Sequence, residues 1–236
     1  IFSALAALAE EVVSPEELIA CDGRGSIVDT VEIINETPLN TVPFWQVVAA
    51  SNNVGIAKIT TRLGKHLYDH LQRLGFGASI GVELTGENAG FITPPSRWSA
   101  ATAFHIASGY EVMATLIQIG RALAIIANGG YALPITLRPV SGSSRRGAPL
   151  YDTEPIKHIR TILQKSSELH AVAIPGTGIL SHIGSAKMLH EGHYTATPTL
   201  FTFSGIVERE GYRRVIVACL EEATGQEASA SIAALG

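Results

Sequence analysis

Ser51-Asn52-Asn53-Val54-Gly55-Ile56-Ala57-Lys58-Ile59 places three small hydrogen-bonding side chains between two apolar, helix-like segments. Upstream, Pro43-Phe44-Trp45-Gln46-Val47-Val48-Ala49-Ala50 reads as a short buried helix. Downstream, residues 54–63 read as another, with Val54, Ile56, Ala57 and Ile59 apolar. The junction is therefore a tight turn held between two packed helices. Such a turn can present a hydroxyl and a carboxamide to a cleft with little loss of rotamer entropy, which is what acyl-transfer chemistry asks of its catalytic groups. Ser and Asn are also ordinary N-cap residues, and Asn53 as the cap of the following helix is the competing reading.

The chain has 236 residues, 46% of them hydrophobic, enough for one large domain or two small ones with a sizeable core. Lys and Arg total 17 against 21 Asp and Glu, a net charge of −4, and the charges are scattered. That leaves no electrostatic footprint for nucleic acid or an anionic membrane. Cys21 and Cys219 lie at opposite ends, fit no metal spacing and read as small buried apolar residues, with a disulfide between them left open. The most apolar run, residues 112–127, is interrupted by Gln118, Gly120 and Arg121 and is too short for a bilayer of about 30 Å. The chain begins at Ile1 and not at Met, which suggests a fragment; the lack of an anchor then says nothing of the full-length protein.

In order, residues 2–13 are helix-forming, and residues 21–42, with Gly23, Gly25 and Pro38, read as loop with at most a short hairpin. Residues 66–74 form a short amphipathic helix with Gly75 as C-cap. His66 and His70 stand at i, i+4 but lack a third ligand, so a surface helix is expected there and no metal site. Residues 114–128 are apolar nearly all round and should be buried. A short strand is expected at 134–140, a flexible loop with Arg145 and Arg146 at 141–147, and a helix at 155–173. Residues 199–208 and 212–221 read as strands joined by the hairpin turn Arg209-Glu210-Gly211, and 229–235 as a terminal helix. His190-Glu191-Gly192-His193 has the wrong spacing for a zinc H-E-x-x-H, so neither metal nor other cofactor is expected.

Ser51-Asn52-Asn53 resembles the S-x-N element of the penicillin-binding proteins, serine acyltransferases whose motifs are S-x-x-K, S-x-N and K-T-G. Ala4-Leu5-Ala6-Ala7-Leu8 with Val12-Val13-Ser14-Pro15-Glu16, then Leu74-Gly75-Phe76-Gly77, Pro94-Pro95-Ser96-Arg97-Trp98-Ser99 and Ile125-Ile126-Ala127-Asn128-Gly129-Gly130 resemble, in the same order, the transpeptidase domain of the class B members. The resemblance runs over nearly the whole chain. It implies one α+β domain over residues 1–236, with an antiparallel sheet from strands near 179–187, 199–208 and 212–221. N-terminal and C-terminal helices would cover the sheet, and a mainly helical subdomain from about residue 20 to 135 would carry the S-x-N turn. Laid on the family pattern, Ala4–Leu8 puts the Lys of S-x-x-K immediately before Ile1 and its Ser three residues earlier. The domain is then N-terminally truncated, and the nucleophile lies outside this sequence.

The K-T-G element, counted back from the final hairpin without a gap, falls on His182-Ile183-Gly184-Ser185-Ala186. His182 takes the Lys position, where an imidazolium can still supply a cation. Ile183 replaces a hydroxyl residue, and Ser185 can keep the second hydroxyl. Gly176-Thr177-Gly178 is the alternative, which keeps Thr-Gly but loses the cation, and neither segment being a site is the third possibility.

What the resemblance implies is a penicillin-binding D,D-transpeptidase that cross-links peptidoglycan stem peptides through a serine acyl-enzyme. An upstream Ser attacks the D-alanyl-D-alanine carbonyl, Ser51 relays a proton to the leaving amine, and Asn53 holds the substrate amide. His182, Gly184 and Ser185 bind the terminal carboxylate, and the Ser185 N–H contributes to an oxyanion hole worth about 3 kcal/mol. Its ligands are stem peptides and β-lactams, with cell-wall synthesis proteins as partners, at the outer face of the bacterial cytoplasmic membrane. The rival is a degenerate, non-catalytic module that binds peptide or protein.

Overall fold

The computed structural model describes residues 1–28, 31–138, 147–195, 197 and 199–233. Helix α1 (Phe2–Ala9) is apolar on every side, and Ser3 to Leu8 are all buried in consequence. It stops at Ala9, short of the expected residue 13, where Glu10 takes the C-cap and Glu11 turns to φ +54.

Strands β1 (Leu18–Val28) and β2 (Val31–Pro43) then pair as one antiparallel hairpin, much longer than the short hairpin within a loop that was the expectation. The register slips between Ala20 and Gly23 and again between Gly23 and Gly25. Such irregularities put extra residues on one strand; the residue types of β1 show no period-2 alternation because the outward positions carry Leu18 and Ala20 beside the inward Ile19 and Cys21. Gly25 also allows a close crossing, since a Cβ there would lie 2.6 Å from the Ile33 carbonyl oxygen.

Four helices follow: α2 (Phe44–Ala49), α3 (Asn53–Leu63), α4 (His66–Leu74) and α5 (Thr102–Ala107). Helix α4 ends on Gly75 in the left-handed conformation at φ +102, as the cap reading expects. Its His70 is not on a surface, however. It is 1% exposed, bonded through Nε2 to Glu10 Oε1 at 2.8 Å and through Nδ1 to the Tyr151 hydroxyl at 3.0 Å. Helix α6 (Leu116–Ala127) opens with a capping box, Thr115 and Gln118 each bonding the other's backbone N–H. Gln118, Ala122, Leu123 and Ile125 to Ala127 are buried, Ile119, Gly120, Arg121 and Ala124 partly so, and Leu116 is half-exposed. Residues 134–138 form no strand, and the expected loop at 141–146 lies outside the described residues.

Helix α7 (Thr153–Leu169) precedes a three-stranded antiparallel sheet of β3 (Gly178–Ala186), β4 (Leu200–Arg209) and β5 (Tyr212–Leu220), ordered β5-β4-β3. Helix α8 (Gly225–Ala233) ends the described chain beside β4. The sheet is the one expected, to within about a residue at each strand end. Its cover is the expected one only in part: α8 lies beside β4, but α7 lies on β3 and α6 on β4 and β5, whereas α1 packs mainly on α3, α4 and α7. Leu180 and Ile206, register partners across β3 and β4, join the same core as α1, so sheet and helices share one interior. Cys21 is buried as expected, but Cys219 is exposed on β5, and both are free thiols.

Candidate active site

The turn between α2 and α3 is built by capping. The Asn52 side chain, 1% exposed, accepts the Gly55 N–H at 2.9 Å, and the Ser51 and Asn52 N–H groups donate back to Val48 and Val47. The N-cap is thus Asn52 and not Asn53, which begins α3. Ser51 is left at φ +51, in the left-handed region that costs a non-glycine residue on the order of 1 kcal/mol and more, with its side chain exposed.

Strand β2 braces this turn from the side. Buried Asn35 accepts the Val54 N–H at 3.0 Å and donates to the Cys21 and Gly23 carbonyls at 2.9 and 2.7 Å. It therefore ties three segments together where the hairpin register slips. The Asn53 carboxamide donates to the Ile34 carbonyl at 2.8 Å, and the Asn52 carboxamide to Thr37 at 3.3 Å. A buried Asn inside Val31-Glu32-Ile33-Ile34-Asn35 is the one sequence signal that would have pointed to this bracket.

On the opposite side stands β3. Ser51 Oγ lies 3.3 Å from His182 Nε2 and 3.4 Å from the Ile183 carbonyl, across 131 residues of sequence. The next residues of β3, Gly184 and Ser185, pair with Thr202 and Phe201 of β4. A Cβ at Gly184 would stand 2.8 Å from Thr202 Oγ1, so glycine leaves that hydroxyl its place. Ser185 is exposed and Ile183 half-buried. The alternative segment is remote: Gly178 is the first residue of β3 and pairs with Glu208, roughly 13 Å along the strand from His182 at about 3.3 Å per residue. Thr177 is folded back onto the Ile174 carbonyl.

The surroundings of His182 oppose a positive charge on its ring. Burial pushes its pKa down to about 3, and the Nδ1 atom is out of contact with solvent and has no hydrogen-bond partner. At neutral pH the ring is uncharged and not an imidazolium. His170, the C-cap of α7, braces the same corner, its Nε2 lying 3.2 Å from the Ala49 carbonyl at the end of α2. Ser51 and His182 thus meet directly, whereas Asn53, two residues away, spends its carboxamide on β2. Among the described residues no group of three or more His, Cys, Asp or Glu side chains stands where it can hold a metal ion.

Residues 1–235 match the family described as the penicillin-binding protein transpeptidase domain. Among curated relatives, the probable peptidoglycan D,D-transpeptidase PenA of Neisseria meningitidis is 24% identical over 183 residues, 75% of this chain and 31% of its own length. Penicillin-binding protein PbpB of Mycobacterium tuberculosis is 26% identical over 240 residues, 92% of this chain and 35% of its own. The chain spans about a third of the length of these relatives. Among solved structures, the TP domain of Burkholderia pseudomallei penicillin-binding protein 3 superposes with a TM-score of 0.85 at 22% identity, covering 94% of this chain and 69% of that one. Penicillin-binding protein 3 of Mycobacterium tuberculosis superposes at 0.82 and 23% identity, covering 99% and 60%, and is also known in complexes with aztreonam and ampicillin. With residues 1–235 matched, the chain belongs to the penicillin-binding protein transpeptidase domain family.

Proposed function

We propose that this chain is the acyl-transfer domain of a peptidoglycan D,D-transpeptidase, with Ser51 as the proton relay to the leaving amine. The observation that carries this reading is the contact between Ser51 Oγ and His182 Nε2, which joins the second motif to the third across the whole chain. A hydroxyl held in a strained turn, exposed and bonded to an imidazole, is placed for proton transfer rather than for packing. Gly184 and Ser185 line the same stretch of β3 and receive the terminal carboxylate, and Asn53 serves the substrate amide once it is released from Ile34. Stem peptides and β-lactams are the ligands, cell-wall synthesis proteins the partners, and the outer face of the cytoplasmic membrane the location. Among the described residues no helix is long and apolar enough to cross a membrane. The expected layout, a single domain over residues 1–236 with a subdomain from about 20 to 135, belongs to this reading, with the β1–β2 hairpin as part of that subdomain.

A second reading, a non-catalytic peptide-binding or protein-binding module, draws on Ile183 in place of a hydroxyl residue and on the Asn53 carboxamide already bonded to β2. Labelling with a fluorescent penicillin separates the two. The 236-residue chain alone should form no covalent adduct, because among the described residues no Ser is paired with an activating Lys. Produced with its native preceding residues, it should be labelled where these supply Ser and Lys at the family's offset. Such a pair without labelling would favour the binding module.

A further inference from the structure

Strand β3 lies at one end of its sheet, with β4 on one side and, among the described residues, no strand on the other. In an antiparallel ladder alternate residues turn both backbone groups away from the partner strand. On β3 these are the odd-numbered ones, and the fold engages their outward groups one by one. The Ser181 N–H donates to Ser167 Oγ at 2.7 Å, and the Ile183 carbonyl accepts the Ser51 hydroxyl at 3.4 Å. Just past the strand, the Lys187 N–H donates to the Tyr110 hydroxyl at 3.2 Å. Between them Ser185 is exposed, and among the described residues neither its N–H nor its carbonyl is bonded across this edge. The free edge is thus a window, shut at Ile183 by Ser51 and at Lys187 by Tyr110, roughly 13 Å apart at about 3.3 Å per residue.

Tyr110 reaches that edge from the other wall of the cleft. It follows α5, which packs on α3 with Phe104 set against Val54 and Ala57. Left-handed backbone at Gly109 and Glu111, φ +87 and +53, turns the chain on either side of it, and its N–H returns to the His105 carbonyl at 2.7 Å. Beyond Lys187 the chain makes a small hairpin in which Leu189–His190 pairs with His193–Tyr194. The Tyr194 ring meets the Tyr110 ring edge-on, with centroids 5.6 Å apart. Tyr194 is otherwise 60% exposed, so its contact with Tyr110 and the Lys187 bond are what tie this hairpin across the cleft.

We propose that Tyr110, backed by Tyr194, is a specificity-determining residue that limits how much of an extended peptide can pair with β3. The inference rests on the acyl-transfer reading above and adds the length of ligand that the cleft takes. With Ser51 and His182 in contact at one end, a peptide whose anionic terminus lies at Gly184 and Ser185 continues towards Tyr110. One of its residues exchanges hydrogen bonds with Ser185. The next outward position, Lys187, has its N–H already engaged, so the residues that follow leave the edge instead of pairing with it. A short end is held by main-chain bonds, and the rest of a longer chain adds no affinity.

The test uses the 236-residue chain, titrated by NMR with acetyl-D-alanyl-D-alanine and with the same peptide extended by three glycines at its amino end. Three extended residues span about 10 Å, enough to pass Lys187 from Ser185. The parent chain should bind both peptides with the same affinity, and its Lys187 amide signal should stay in place with either. Tyr110→Phe keeps the ring and removes the hydroxyl. It should bind the long peptide about fivefold more tightly than the short one, the gain of one added hydrogen bond, and its Lys187 signal should now shift. The parent's Lys187 signal carries the test whether or not the variant folds. Tighter binding of the long peptide to the parent chain, or equal affinities of the variant for both, would overturn the length limit and leave the acyl-transfer reading in place. If neither peptide perturbs the cleft, both fall.

Discussion

His182 is held neutral by burial, and this has a consequence for folding that is separate from ligand binding. Its folded pKa is near 3 against about 6.5 in the unfolded chain, so between those values the unfolded state binds the extra proton. Stability from this group is therefore complete above about pH 6.5 and is lost as the pH falls towards 3, at up to about 1.4 kcal/mol per pH unit. His70, also depressed by burial, acts in the same direction, and Glu10, lowered by its bond to His70, loses its contribution at lower pH still. His182→Asn should accordingly show a shallower fall in urea midpoint from pH 6.5 to 5 than the parent chain. Equal slopes would mean that the ring is solvated. Ser51 lends itself to a kinetic measurement instead. In a chain carrying the native Ser-Lys pair, Ser51→Ala should slow acylation by a fluorescent penicillin about 100-fold, the low end of what a positioned proton-transfer group contributes. Unchanged acylation would remove Ser51 from the relay.

The β1–β2 hairpin and the α2–α3 junction form one bracket, and two substitutions probe it. Asn35→Leu removes three hydrogen bonds and leaves the Cys21 and Gly23 carbonyls and the Val54 N–H without that partner. A loss of about 2–4 kcal/mol is expected, since unsatisfied buried groups cost about 1–3 kcal/mol each and partial relaxation recovers some of this. Chemical denaturation measures it. Gly55 poses the opposite question. Its Cβ-less position lets α3 approach α2, and an added methyl carbon would lie 2.5 Å from Val47 Cγ1 and 3.3 Å from Asn52 Oδ1. Alanine is the better helix former by about 1 kcal/mol, but overpacking of about 1–3 kcal/mol acts against it. Gly55→Ala should therefore lower the melting temperature and shift the Asn52 cap; a rise would show that Val47 yields freely.

Strand β5 is at the end of the sheet, with β4 on one side and, among the described residues, no strand on the other. An open edge with exposed positions along it is a template for a further strand. The 236-residue chain should therefore associate in a concentration-dependent way in sedimentation experiments, and a stable monomer that unfolds cooperatively would contradict this. Much of the molecule was legible in the sequence, for local reasons. The Phe-, Val- and Ile-rich runs at 201–207 and 215–217 around Arg209-Glu210-Gly211 specify the β4–β5 hairpin, the apolar periods of α3 and α4 specify helices with a buried side, and the nearly all-apolar α1 and α6 specify buried helices. The S-x-N turn was legible because a cap and a break between two helices are written in neighbouring residues. The full length of the hairpin at 18–43 was not: β1 carries Leu18 and Ala20 outward beside the inward Ile19 and Cys21, which leaves no period in the chain, and the slipped register and distant Asn bracket are made only in the fold. The burial of His70 and the choice of Asn52 over Asn53 as the cap also came from packing. So did the charge of His182: an imidazole carries no mark of its own ionisation, and only the fold that shuts Nδ1 away from water makes the ring neutral.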